Sequence, residues 1–205
     1  KALTDRKGPD GGPRISPDGK WIAYTGYDDR NFTSHIANLY LMDAAGSSKR
    51  LLAGGLPSSP SSVDWAPDGT GVYYQMEESG ENNLPFAPTS GAVRKITKGA
   101  HVLSGVSLAD NGQAAAVLST PDRPGVLVTF TLALPDAFNA LVDVNADILD
   151  GVKLGACEEL RYQSSDGLAI QGWLIKPAEF DPSKKYPLVL WIHGGPWSMY
   201  SAAFN

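Results

Sequence analysis

A short phrase recurs along the first two thirds of this chain, and it limits the fold more than any other feature. It reads Ile15-Ser16-Pro17-Asp18-Gly19-Lys20-Trp21 at its first occurrence and Trp65-Ala66-Pro67-Asp68-Gly69-Thr70-Gly71 at its second. A weaker copy reads Leu108-Ala109-Asp110-Asn111-Gly112-Gln113. Asp18-Gly19, Asp68-Gly69 and Asn111-Gly112 align, at intervals of about 50 and 43 residues. Asp-Gly and Asn-Gly supply the left-handed backbone of a tight hairpin turn, and a preceding proline ends the incoming strand. Each turn is followed by an apolar or alternating stretch, Trp21 to Thr25 and Gly71 to Gln75 in the first two copies. Such stretches read as strands.

Each unit also carries a second hairpin. Asn38-Leu39-Tyr40-Leu41-Met42-Asp43 is strand-like, Ala45 to Ser48 is a turn, and Lys49-Arg50-Leu51-Leu52 returns. Val93-Arg94-Lys95-Ile96-Thr97 repeats the returning strand in the next unit. Four short strands per roughly 43–50 residues is the pattern of a β-propeller blade. A β-sandwich with look-alike turns is the alternative, but matched turns with matched flanks at a near-constant period disfavour it. Propellers need at least about four blades, so further blades are expected upstream of the three seen here.

Composition narrows the function. The 22 glycines and 15 prolines suit a turn-rich β protein. A net charge of −5 with no basic stripe argues against nucleic acid as a partner. No apolar run approaches the length of a membrane span; the longest, Val126 to Leu134, is nine residues. Cys157 is the only cysteine, so no intrachain disulfide can form, and it reads as a small buried hydrophobe. This suits the cytoplasm without excluding the periplasm, and the compartment and oligomeric state stay open. Glu77 to Asn83 reads as a solvated hairpin loop rather than a metal site. His35 and His101 read as surface or hydrogen-bonded residues, with no second ligand at metal spacing. No metal or organic cofactor is expected.

The pattern changes after residue 136. Asn139 to Asn145 is a short helix or a last strand, and Asp150 to Gly155 is a connector. Glu158 to Ser164 and Leu168 to Pro177 then form a hairpin about Ser165-Asp166-Gly167. Pro187-Leu188-Val189-Leu190-Trp191-Ile192 is an apolar run suited to a strand buried on both faces of an α/β sheet. It leads into His193-Gly194-Gly195-Pro196, a strand-to-loop arrangement that can present backbone N–H groups to an oxyanion. The expected fold is therefore mostly β: C-terminal propeller blades over residues 1–150, then the first strands of an α/β-hydrolase domain over 151–205.

The order of the Ser-Asp-Gly hairpin, Gly172-Trp173-Leu174-Ile175-Lys176-Pro177, Lys185-Tyr186-Pro187-Leu188-Val189-Leu190 and His193-Gly194-Gly195-Pro196 resembles the prolyl oligopeptidase family of serine peptidases. The nearest branch is that of the acylaminoacyl- and dipeptidyl-peptidase-like enzymes. The Ser-Pro-Asp-Gly repeats fit that family too, although TolB-type propellers share them. The resemblance implies an N-terminal propeller that gates access and a C-terminal hydrolase that cleaves short peptides through an acyl-enzyme. It implies that the Gly195 backbone N–H donates to the oxyanion, that Gly194 belongs to the same loop, and that His193 and Pro196 support it. His193 is not the triad histidine in this pattern.

No Gly-x-Ser-x-Gly elbow occurs in these residues. The nearest phrase, Gly105-Val106-Ser107-Leu108-Ala109, lies in a repeat and lacks the second glycine. The resemblance places the nucleophile and the triad His and Asp beyond Asn205, so these 205 residues alone are expected to be inert. Residues from Cys157 onward are too few to close a doubly wound sheet and are expected to be partly exposed. The implied partners are a peptide substrate, upstream blades and the remainder of the hydrolase domain. Two other readings remain: an esterase or lipase, which Pro196 and the propeller disfavour, and a non-catalytic TolB-like binding scaffold.

Overall fold

Fifteen strands and one short helix make up a computed structural model that describes residues 2–195 and 197–204. The first sheet holds β1 (Asp10–Ile15), β2 (Trp21–Gly26), β3 (Asn38–Asp43) and β4 (Arg50–Ala53) in simple antiparallel order. The second unit holds β5 (Ser61–Trp65), β6 (Gly71–Glu78), β8 (Pro85–Pro88) and β9 (Arg94–Lys95), with β6 between β5 and β8. The third holds β10 (Val102–Leu108), β11 (Gln113–Thr120), β12 (Arg123–Thr131) and β13 (Leu134–Val142), again in sequence order. These are three consecutive four-stranded meanders, and the chain is mostly β.

One strand was not legible in the repeat. The far end of β6, Met76 to Glu78, pairs with β7 (Glu81–Asn83), and Asn82 of β7 bridges in parallel to Val102 of β10. The acidic stretch is thus the tip of a real hairpin, turning at Ser79 and Gly80, and it ties the second sheet to the third.

The repeated phrase forms the first hairpin of every unit. Ser16 N–H donates to Trp21 O at 2.9 Å and Gly19 N–H to Ser16 O at 2.8 Å. Ala66 and Gly71 (2.9 Å) and Gly69 and Ala66 (2.8 Å) repeat both bonds, as do Ala109 with Gln113 (2.8 Å) and Gly112 with Ala109 (3.0 Å). Gly19, Gly69 and Gly112 sit at φ 73°, 68° and 79°, in the left-handed region that glycine enters without a Cβ penalty. The residue before each glycine caps the turn: Asp18 Oδ1 accepts Lys20 N–H at 3.1 Å, Asp68 Oδ1 accepts Thr70 N–H at 3.0 Å, and Asn111 Oδ1 accepts Gln113 N–H at 3.1 Å. The pattern is an Asx turn on a hairpin.

Alternation along the strands buries one face of each sheet against the next. Ala23, Leu39, Leu41 and Ala53 of the first unit pack on Val63, Trp65, Val72, Tyr74 and Ala87 of the second. Trp65 Nε1–H donates across this joint to Arg14 O at 2.9 Å. Leu84 of the second unit and Leu103 share a cluster with Ala114, Ala116, Val126, Val128 and Phe130 of the third. Full burial of a Leu or Val side chain stabilises by about 1.5–3 kcal/mol, so the unit-to-unit joints hold the array together.

The last strand, β13, runs to Val142, so residues 139–142 are strand rather than helix; a four-residue turn of helix, α1 (Ala146–Leu149), follows. The second hairpin is β14 (Cys157–Gln163) with β15 (Ala169–Ile175), paired from Cys157↔Ile175 to Gln163↔Ala169. Gly167 at φ 84° and the bonds Ser164 N–H to Leu168 O and Gly167 N–H to Ser164 O, each 2.9 Å, repeat the turn of the blades. The expectation of a buried strand over 187–192 is not met. These residues form no strand, and Leu188 to Ile192 are 76–82% exposed. A strand needs a neighbour to satisfy its backbone groups, and none of the described residues provides one.

Candidate active-site loop

His193, Gly194 and Gly195 follow the unpaired apolar run and are themselves exposed. Gly195 adopts φ 141°, and a Cβ there would lie 2.8 Å from Trp197 N and 3.1 Å from Ser198 Cβ. Only glycine suits that backbone and that space. Gly194 has neither constraint, with nothing within 4 Å of an added Cβ. His193 Nδ1 lies 3.0 Å from Gly194 O, so the tautomer protonated on Nδ1 donates to that carbonyl. The His193 ring also meets Tyr200 edge-on at 6.1 Å. Pro196, the fourth residue of the motif, lies outside the described residues.

The end of the chain beyond this loop is anchored. Trp173 of β15 donates its Nε1–H to Tyr200 O at 2.9 Å. Ala202 is fully buried, and its N–H donates to Gly80 O at 2.6 Å. Gln171 Nε2 donates to Ser79 O at 2.7 Å, and Phe204 N–H to Ser119 Oγ at 3.1 Å. The hairpin tip Ser79-Gly80 therefore receives both β15 and the segment that follows the Gly-Gly loop. Gly80, at φ 79°, is pressed so closely that a Cβ would stand 2.6 Å from the Trp173 ring. Sequence reasoning missed this joint. Its only sequence signals are a glycine in a polar turn and a tryptophan on a two-stranded hairpin, neither of which names the other.

Other candidate residues resolve as follows. Cys157 is half-buried on β14, and burial pushes its thiol up, which weakens it as a nucleophile. His35 is hydrogen-bonded, accepting Arg30 N–H on Nε2 at 3.0 Å. His101 departs from expectation: it is buried, and its Nε2 has no hydrogen-bond partner among the described residues. Burial lowers its pKa, opposed by the weaker pull of Asp136. Its ring meets the Phe138 ring of β13 edge-on at 5.3 Å. Tyr74 is buried likewise, its phenol pushed up to about 12 by desolvation. Among the described residues no three His, Cys, Asp or Glu side chains converge as a metal site, and no helix is long and apolar enough to cross a membrane.

Comparison with known proteins extends over both parts of the chain. No protein-family model matches it. Dipeptidyl-peptidase 5 of Porphyromonas gingivalis is 28% identical over 200 residues, covering 92% of this chain and 28% of that protein. The chain thus spans little more than a quarter of the length of this relative. The solved acylaminoacyl peptidase of Pyrococcus horikoshii superposes with a TM-score of 0.72 at 26% identity, over 92% of this chain and 28% of that one. An acylaminoacyl peptidase in complex with Z-Gly-Gly-Phe-chloromethyl ketone matches at 27% identity and a TM-score of 0.72, with the same coverage.

Proposed function

We propose, from the premise that this chain is a relative of the prolyl oligopeptidase family of peptidases, that it is the propeller-to-hydrolase segment of a serine peptidase that hydrolyses short peptides. The observation that carries the reading is the similarity to dipeptidyl and acylaminoacyl peptidases over 92% of the chain. The bound peptide-like ketone of one solved relative makes a peptide the natural substrate class. Residues 1–150 act as blades and residues 151–205 as the entry to the hydrolase domain.

In this reading the Gly195 N–H is one of two donors to the oxyanion of the tetrahedral intermediate. The positive φ of Gly195 and the crowding at its Cβ position are what tie this donor position to glycine. Gly194 completes the loop, and His193 and Pro196 support it, His193 through the Gly194 carbonyl and the Tyr200 ring. A serine outside these residues attacks the peptide carbonyl, a histidine takes its proton and returns it to the leaving amine, and an aspartate orients that histidine. The joint at Ser79-Gly80 holds β15 and residue 202 against the second blade, and the propeller gates access so that short peptides, not folded proteins, reach the site.

The test uses the whole protein that carries this sequence. It should release product from dipeptidyl or N-acylaminoacyl anilides, and a fluorophosphonate probe should label one serine outside residues 1–205. Hydrolysis of simple esters without amides would replace the peptidase by an esterase. No hydrolysis and no labelling would leave a binding scaffold.

A further inference from the structure

The chemistry above leaves one buried titratable side chain unused. His101 is the last residue before β10, and it stands where the second sheet meets the third. Its backbone O accepts Asn82 N–H at 3.0 Å, and the next residue, Val102, bridges to the same Asn82. These contacts hold the three-residue β7 to β10. A further bond nearby, Asn83 Nδ2–H to Gly99 O, is long at 3.4 Å. On its other side β7 pairs with the far end of β6. The turn that joins them, Ser79-Gly80, is where Gln171 of β15 and Ala202 dock. Gly80 therefore lies only two residues from the amide that the His101 carbonyl holds.

The His101 ring has little room and no hydrogen-bonding outlet on one side. The Phe138 ring of β13 meets it edge-on at 5.3 Å, and a Cβ on Gly99 would stand 3.0 Å from Nδ1. Nε2 is buried with no hydrogen-bond partner among the described residues. Asn82 Oδ1 is buried and unpartnered in the same way, so the two do not bond each other. A neutral imidazole can leave one nitrogen unpaired. An imidazolium has two N–H donors and a charge, and burying both without an acceptor is costly. The charged residues on the surrounding elements do not relieve it. Asp136 of β13 pulls on the ring more weakly than burial opposes it, and its Oδ1 is engaged by Lys98 N–H at 2.8 Å. Glu81 of β7 accepts Asn83 Nδ2–H at 3.2 Å. Lys98, on the loop before His101, brings a like charge.

We propose that His101 is a pH-sensitive latch: protonation of its ring frees β7 from β10 and, through the Ser79-Gly80 tip, loosens the docking of β15 and of the segment that follows the Gly-Gly loop. The contacts above supply the route, which runs from the His101 carbonyl through Asn82 to the tip and from there to Gln171 and Ala202. The open form exposes the ring to water, where histidine takes up a proton near its ordinary pKa. Acid therefore favours opening between that value and the lower one of the closed form.

The test is amide hydrogen exchange of the whole protein at pH 7.5 and pH 5.5, expressed as protection factors so that the intrinsic pH dependence of exchange is removed. Protection over residues 79–83, 171–175 and 200–204 should fall at the lower pH, by up to about tenfold per pH unit below the ordinary histidine pKa. Protection in β2, β3, β11 and β12 should hold. His101→Phe, which cannot titrate, should abolish the fall. Asp136→Asn keeps an acceptor for Lys98 N–H but removes the charge that favours the protonated ring, so it should move the fall to lower pH; this variant carries the test if His101→Phe does not fold. Equal protection at the two pH values in the wild-type protein overturns the proposal. So does a fall that persists in His101→Phe or stays at the same pH in Asp136→Asn. Loss of protection in β11 and β12 to the same extent also overturns it, since protonation would then unfold the third sheet rather than release the tip. The readout is exchange, so the result is independent of whether the whole protein is a peptidase.

Discussion

Two adjacent glycines in the candidate loop are not equivalent. Gly195 combines φ 141° with a crowded Cβ position, whereas Gly194 has open space. In the whole protein, Gly195→Ala keeps the backbone N–H but strains the loop and shifts that donor, so kcat/KM should fall by about 10²-fold, as far as a misplaced oxyanion donor can cost, and Gly194→Ala should cost less than about tenfold. Equal effects would remove the special role of Gly195. A second residue-scale expectation concerns His101. Burial holds its pKa below the ordinary value near 6.5, so the unfolded chain binds the proton more readily. Its contribution to stability is complete above that ordinary value and is lost as pH falls through the folded-state pKa. Urea midpoints should therefore drop between about pH 7 and pH 5, and His101→Phe should flatten that drop, since the buried Nε2 has no partner to lose. The turn carboxylates act in a separate window. Asp18 is held low by the Ser16 hydroxyl and Asp68 by the Thr70 backbone N–H; what they contribute is present above about pH 4 and lost below it. Asp18 and Asp68 could be read from sequence because an Asx turn is a contact over two residues. His101 could not, because its environment comes from Phe138, a residue far along the chain on β13.

At the scale of elements, strands with an apolar or alternating pattern beside a turn were legible, and a strand made of polar residues was not. β2, β3, β6 and β15 each combine an apolar pattern with an adjacent turn, and each forms as expected. β7 has three polar residues and exists only because β6 overruns its unit and folds back. The run from Pro187 to Ile192 has the composition of a buried strand but no pairing partner among the described residues, so composition alone did not make it one. The joint at Gly80 is the element contact with the most direct test. Gly80→Ala places a methyl group 2.6 Å from the Trp173 ring in a backbone region that alanine avoids. Trp173→Ala removes the ring and the Tyr200 bond together. Either change should increase proteolysis and amide exchange over residues 171–204 and leave exchange in β2, β3, β11 and β12 unaltered. Uniform loss of protection across the blades would mean that the joint supports the whole fold rather than the docking of one part.

At the scale of the molecule, the two parts are held together in different ways. The first and second units share one apolar joint, and the second and third share another. Residues after Cys157 rest on a hairpin and a few polar contacts, while Leu188, Val189, Leu190, Trp191 and Ile192 lie open to water in sequence. Five consecutive exposed apolar residues with strand-forming side chains are a template for pairing with another chain. A polypeptide of residues 1–205 by itself should therefore bind a hydrophobic dye and associate with rising concentration. A double change, Leu190→Lys with Ile192→Lys, should suppress both behaviours without shifting the unfolding of the blades, since neither side chain packs in their cores. In the whole protein the same change should do the opposite and abolish expression or activity, because there the run would be the interior strand that its sequence describes, and an unpaired lysine inside an α/β sheet is not tolerated. If the double lysine protein were instead fully active, the run would not be a buried strand in the intact molecule, and the Gly-Gly loop at its end would lose the rigid support that an oxyanion site requires.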